Sequence, residues 1–114
     1  MDYLENIQAQ IRKGILEFAI LLIIAKKEVY AQEILKKLRE TQLLVVEGTL
    51  YPLLSRLKRH ELVECVWKES RTGPPRKYYK LTEKGRAALT QLNTSWEELS
   101  RSITSLTHTH EKGN

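Results

Sequence analysis

At His60 the hydrophobic period of this chain changes, and that change limits the available folds more than any other feature of the sequence. Before it, "VEGTLYPLLSRLKRH" places Leu50, Leu53, Leu54 and Leu57 at the i, i+3, i+4, i+7 spacing of one helix face. After it, "LVECVWKES" is rich in β-branched and aromatic residues, "RKYYKL" follows, and the turn chemistry of "RTGPP" between them predicts a β-hairpin. Upstream, Leu4, Ile7 and Ile11 recur at helical spacing and predict a short first helix over Tyr3–Arg12. A second helix is expected through "ILEFAILLIIAKK", buried on most sides. A third runs through "VYAQEILKKLRE", with Ile34, Leu35 and Leu38 on one face, and ends near Thr41; "TQLLVV" then reads as an extended connection.

Downstream of the hairpin, Thr82 can cap a long last helix through "EKGRAALTQLNTSWEELSRSITSL", and "THTHEKGN" reads as a frayed tail. Helix, helix, turn, helix, two-stranded hairpin is the order of a winged helix-turn-helix. The expected fold is mainly α with a small β-hairpin wing. Residues 1–81 form the winged helix-turn-helix with its N-terminal helix, 82–107 a long C-terminal dimerisation helix, and 108–114 a disordered tail.

A chain of 114 residues, 41% hydrophobic and 29% charged, suits one small globular domain that buries a modest share of its surface alone. Burial against a second subunit is therefore expected. Cys65, the single cysteine, excludes an intrachain disulfide, and the chain does not open on a secretory signal pattern, so a reducing cytoplasm is the expected compartment. The longest apolar run, Gly14–Ala25, is interrupted by Glu17 and falls short of the roughly 20 residues a bilayer requires.

Charge is concentrated as well as positive. Ten Lys and Arg face four acids between Tyr51 and Arg86, a net +6, whereas the rest of the chain holds nine bases and ten acids. A polyanionic partner, usually nucleic acid, is implied. The helix of the opening stretch fits that partner. With its leucines turned inward, it shows Gly48, Tyr51, Pro52, Ser55, Arg56 and Arg59 on the polar side, small near the N-terminus and basic further along, and Thr49 is a further expected DNA contact. Such a face suits entry into the major groove by the helix N-terminus. Either Thr49 is the N-cap and Pro52 falls in the first turn, or the helix begins at Glu47 and Pro52 bends it.

"EGTLYPLLSRLKRHELV" together with "ESRTGPPRKYYKLTEKG" resembles the PadR family of bacterial transcriptional regulators. The family's "GTLYP" element matches Gly48-Thr49-Leu50-Tyr51-Pro52, and its wing signature matches Gly73-Pro74, Arg76-Lys77-Tyr78-Tyr79 and Leu81-Thr82. "RKGILEFAILLII" is similar to the family's N-terminal region. Two departures concern local helix ends: Tyr30-Ala31 stands for a Tyr-Gly pair, and His60-Glu61 replaces a Gly common before the wing. The resemblance implies a homodimer that binds a palindromic double-stranded DNA operator, represses transcription and is often released by a small effector. A single C-terminal helix is similar to the family's shorter branch.

Arg71, Arg76 and Lys77 flank "TGPP" and are expected to touch phosphate or the minor groove, the alternative being a solvated loop. Tyr78 and Tyr79 are assigned to structure, Tyr79 under the wing against the core. Lys36, Lys37 and Arg39 either reach the DNA backbone or form a solvated helix face. In the last helix, Leu89, Leu92, Trp96, Leu99, Ile103 and Leu106 are spaced 3, 4, 3, 4, 3, which is a coiled-coil seam. That seam, with Leu4, Ile7 and Ile11, is the expected dimer interface. Trp96 is either plain dimer core or one wall of an effector site with Ile11, Ile15, Leu92 and Leu99; by the family resemblance, planar aromatic or phenolic compounds are the candidates. Cys65 reads as a small buried hydrophobe, and His108 and His110 lack further metal ligands. No catalytic constellation or cofactor motif is present, so the competing expectations are a DNA-binding repressor and a winged-helix module that docks an acidic protein.

Overall fold

The computed structural model describes residues 2–43 and 45–112. Its elements run α1 (Tyr3–Lys26), β1 (Val29–Tyr30), α2 (Ala31–Glu40), α3 (Glu47–Arg59), β2 (Val63–Ser70), β3 (Gly73–Leu81) and α4 (Glu83–Lys112). The two helices expected over residues 3–27 are one. Asp2 opens α1 with a capping box, its carboxylate accepting from the Glu5 N–H at 2.7 Å while Glu5 accepts from the Asp2 N–H at 3.1 Å. Gly14 was the sole break signal; a lone Gly costs a helix only about 1 kcal/mol, and packing of Leu16, Ile20, Leu21 and Ile24 in the core offsets it.

The wing has three strands rather than two, in the order β1-β3-β2 and antiparallel throughout. Val29 and Tyr30, read as the start of a helix, instead pair with Tyr79 and Tyr78. Ser70 pairs with Gly73, so the turn is Arg71-Thr72 and Pro74-Pro75 lie in β3 instead of the turn.

Two helices end alike. At α3 the Leu62 N–H donates to the Leu57 carbonyl (3.0 Å) and the Glu61 N–H to that of Lys58 (2.9 Å); at α2 Leu43 donates to Leu38 (2.8 Å) and Gln42 to Arg39 (3.2 Å). These are Schellman closures, and their left-handed positions hold Gln42 (φ 68°) and Glu61 (φ 64°) instead of glycine. Beside the α3 closure, Thr82 starts α4: its hydroxyl donates to the Glu61 carbonyl (2.6 Å) and accepts from the Gly85 N–H (2.9 Å). Gly85 is buried here, where a Cβ would collide with the Leu62 carbonyl.

One core, from Leu16 through the α3 leucines to Val63, Tyr79 and Leu81, holds the domain together. Leu89, expected in the seam between subunits, is 8% exposed and belongs to this core. It lies in the second turn of α4, where the helix still covers the body. α4 also continues past residue 107 as helix to Lys112, where a disordered tail was expected. Residues 113–114 and the side chain of His110 lie outside the described residues.

Candidate nucleic-acid interface

The inward side of α3 is fixed by Leu50, Leu53, Leu54 and Leu57, all buried. At about 100° per residue, Gly48, Pro52, Ser55 and Arg59 then point away from the body, with Tyr51 and Lys58 on one flank and Thr49 and Arg56 on the other. All but Arg56 are exposed. The helix begins at Glu47 with Val46 as N-cap, so the alternative with Thr49 as the cap does not hold. Pro52 is the sixth helical residue, and its missing N–H leaves the Gly48 carbonyl without its usual helical donor. Around Gly48 an added Cβ would meet nothing within 4 Å. The body of the protein does not require a glycine there.

Arg56 is turned toward α1, where its guanidinium lies 3.7 Å from the Glu17 carboxylate, and it is half-buried. Among the basic residues assigned to this face, Arg59 is the more freely presented. The N-terminal ends of α2 and α3 are tied by Gln32, whose amide donates to the Glu47 carboxylate at 2.7 Å. Tyr30 gives its N–H to Glu33 at 3.1 Å, so Glu33 closes the first turn of α2. Lys36, Lys37 and Arg39 are exposed on α2, with Lys37 paired to Glu40 at 3.4 Å. An exposed pair of this kind contributes little to stability, and it is no obstacle to a phosphate.

On the wing, Arg71 and Arg76 are exposed and Lys77 is half-buried. Arg76 lies over the Tyr30 ring, 4.5 Å from its centroid, and Tyr30 meets Tyr78 edge-on at 5.4 Å. Lys68 sits 5.0 Å from the Tyr78 centroid and is ion-paired with Glu28, which lowers the carboxyl's pKa and raises that of the ammonium by their shared hydrogen bond. Tyr78 is thus half-buried structure, as its assignment required. Tyr79, on the opposite face, is buried, and burial, then the neighbouring Cys65 and Tyr51, pushes its phenol above the usual range. Lys68 and Arg76 are thus held in place on aromatic rings and beside β1.

α3, the N-terminus of α2 and the wing therefore present one continuous surface. Its described residues carry exposed cations on α2, α3 and the wing, an arrangement that can track phosphates while a helix face reads bases. Residues that sequence reasoning left out of it are Tyr30, Gln32 and Trp67. Only Trp67 gave a signal: an aromatic two positions past Cys65 on the core face of a strand, yet 66% exposed.

Away from this surface, the seam residues Trp96, Leu99, Ile103 and Leu106 are 47%, 61%, 63% and 69% exposed, and Leu4 and Ile11 of α1 are 62% and 59% exposed. Leu92 and Ile7 stand at the edge of the body, and Ile15 is half-buried. No helix among the described residues is long and apolar enough to cross a membrane.

Comparison with known proteins agrees with this architecture. Among solved structures, a PadR-like transcription factor from Bacteroides fragilis is 51% identical, with a TM-score of 0.76 over 89% of this chain and 98% of that one. A PadR-like transcriptional regulator from Bacillus cereus is 41% identical, with a TM-score of 0.79 over 86% and 96%. A PadR family regulator from Eggerthella lenta reaches a TM-score of 0.81 over 95% of each chain at 27% identity. An uncharacterized protein of Lysinibacillus sphaericus is 31% identical over 100 residues, 85% of this chain and 92% of its own length. The model of the transcriptional regulator PadR-like family matches residues 20–91, from the buried half of α1 through the wing into α4, and with these likenesses it shows that the chain belongs to the PadR-like family of DNA-binding transcriptional regulators.

Proposed function

We propose that this regulator is a homodimer that represses transcription by occupying an inverted-repeat operator, and that a small planar aromatic or phenolic compound beside Trp96 releases it. The observation carrying this reading is the stripe of large apolar side chains on α4, from Leu92 to Leu106, that the chain alone leaves in solvent, as it does Leu4 and Ile11 of α1. Contiguous exposed apolar patches of this kind mark association sites. A second copy related by a two-fold axis would bury both stripes. It would also set the two α3 helices about 34–36 Å apart, one turn of DNA. The cytoplasm is the compartment this reading implies.

Opposed Trp96 rings across the two-fold would grip a flat compound at about 0.5–1.5 kcal/mol per aromatic pair beyond its burial. Ile11, Ile15, Leu92 and Leu99 supply the apolar walls. α4 is one rigid helix from seam to wing, so a compound that spreads the seam changes the spacing of the α3 helices. Release then follows if the compound binds the spread arrangement more tightly than the operator-bound one.

Titration of an operator recovered by selection from random DNA tests the proposal. Two protomers per duplex and protection of an inverted repeat are expected, with log affinity falling against log salt by about 0.9 for each phosphate contacted. A planar aromatic compound should weaken operator binding by the wild type but not by Trp96→Ala. One protomer per duplex or salt-independent affinity would overturn the operator reading. Release that persists in Trp96→Ala would leave Trp96 as dimer core alone.

A further inference from the structure

The wing does not simply lie on the body; it stands off from it and leaves a cleft of about 320 Å³ between β2, β3, the start of α2 and the Tyr51 flank of α3. Its walls include Tyr30, Gln32, Tyr51, Trp67, Arg76 and Lys77, and none of its lining residues is acidic. Trp67 is the side chain the fold leaves unexplained. Along the core face of β2, exposure rises from Val63 (buried) through Cys65 (half-buried) to Trp67, 66% exposed, because the hairpin has by then left the helices behind. A Trp there contributes little burial in the free protein. Across the strand pair its partner is Lys77, and Tyr51, 44% exposed, also lines the cleft.

We infer that this cleft seats the sugar–phosphate backbone of the DNA strand bordering the groove that α3 reads, with the Trp67 ring packed on a deoxyribose face and Arg76 and Lys77 on the flanking phosphates. The inference deepens the DNA-binding reading and rests on it. Charge argues for the occupant: two cations and no carboxylate among the lining residues favour a polyanion and disfavour a cationic compound. Shape argues the same way. The cleft is open and at the small end of ligand cavities, which run to about 1,000 Å³ and enclose most of what they bind. A strand passing through needs an open channel, its phosphates drawn by a positively charged groove, and the apolar face of Trp67 between the two cations matches the apolar face of a sugar. Continuity decides the rest, since Tyr51 belongs both to the cleft and to the exposed side of α3.

Trp67 is then an anchoring residue that acts on every DNA sequence alike and without neutralising charge. Tryptophan emission and duplex affinity, measured on the full-length wild type, Trp67→Phe and Trp67→Ala, distinguish it from a cation. The probes are the selected operator and an unrelated duplex of equal length. Wild-type emission should change on adding either duplex, and that change should be absent from Trp67→Phe, which keeps an apolar wall and nearly full affinity. Trp67→Ala should lose about tenfold on both duplexes, the low end of what an aromatic contact to nucleic acid contributes, with an unchanged salt slope. Because Trp67 is largely exposed, its substitution should leave the thermal midpoint near that of wild type; were Trp67→Ala to unfold, the emission arm decides alone.

Wild-type affinity retained in Trp67→Ala, with no Trp67-dependent emission change, would overturn the inference and leave operator binding intact. An emission change produced by a planar anionic dye but not by duplex would overturn it too, making the cleft a small-molecule site. Failure of the wild type to bind any duplex would instead remove the reading on which it rests.

Discussion

Gly48 and Gly85 show how one residue type answers to different demands. At Gly85 the demand is internal, because the first turn of α4 rests on the Leu62 carbonyl so closely that a Cβ has no room. Backbone cannot yield as a side-chain tip does, and forcing extra volume into a packed site costs typically 1–3 kcal/mol. Gly85→Ala should therefore lower the thermal midpoint by several degrees. At Gly48 the surroundings are open, and Ala is the better helix former by up to about 1 kcal/mol. Gly48→Ala should leave the protein as stable as before or more so, while weakening operator binding through the lost close approach. Thermal melts and duplex titrations of the two variants check this, and a destabilised Gly48→Ala would mean that the fold, rather than the DNA, demands the glycine.

At the scale of elements, this chain stores strain at the ends of α2 and α3, where Gln42 and Glu61 hold left-handed positions. Glu61 holds the left-handed position of the α3 closure at φ 64°, at a cost of roughly 1–2 kcal/mol that glycine would not incur. Its side chain gives little in return, since the ion pair with Lys84 is long (3.9 Å) and exposed. Glu61→Gly should raise the midpoint of unfolding by a few degrees with operator affinity unchanged; an unaltered or lower midpoint would show that the flexibility gained by the unfolded chain outweighs the relieved strain. The sequence indicated that this helix end was unusual, because a Gly position held His60-Glu61, but not the geometry adopted. What was legible elsewhere had the same character. Short-range periodicity identified the α3 leucines, Thr82 as a cap and the inward Tyr79, because each is decided within a few residues. β1 escaped notice because two residues form a strand only through pairing with Tyr78 and Tyr79. Arg56 was placed on the outer face because its Glu17 partner lies on another helix. The cleft beside Trp67 needed the wing's position relative to α3, which no local pattern encodes.

As a whole molecule the chain is not compact. Its radius of gyration is 17.1 Å and its extents are 62 × 34 × 23 Å, whereas about 13 Å is usual for a domain of this length. The excess comes from α4, whose 30 residues span about 45 Å, well beyond the core that Leu89 completes. Past that point the helix carries its apolar stripe with little of its own chain to cover it. Each such side chain contributes roughly 1.5–3 kcal/mol when fully buried, so a paired seam is a large share of a small domain's stability. Leu99 and Ile103 provide the cleanest probe, since both are more than half exposed in the single chain and a charge there costs it little. The double substitution Leu99→Glu with Ile103→Glu should give a folded monomer by sedimentation, with the wing and α3 intact by melting and only the far end of α4 losing helicity. Operator affinity should fall steeply because two half-sites are no longer bound as one event, whereas single half-site binding should survive. A dimer that persists in this variant would move the interface away from the α4 stripe, and with it the proposed spacing of the recognition helices.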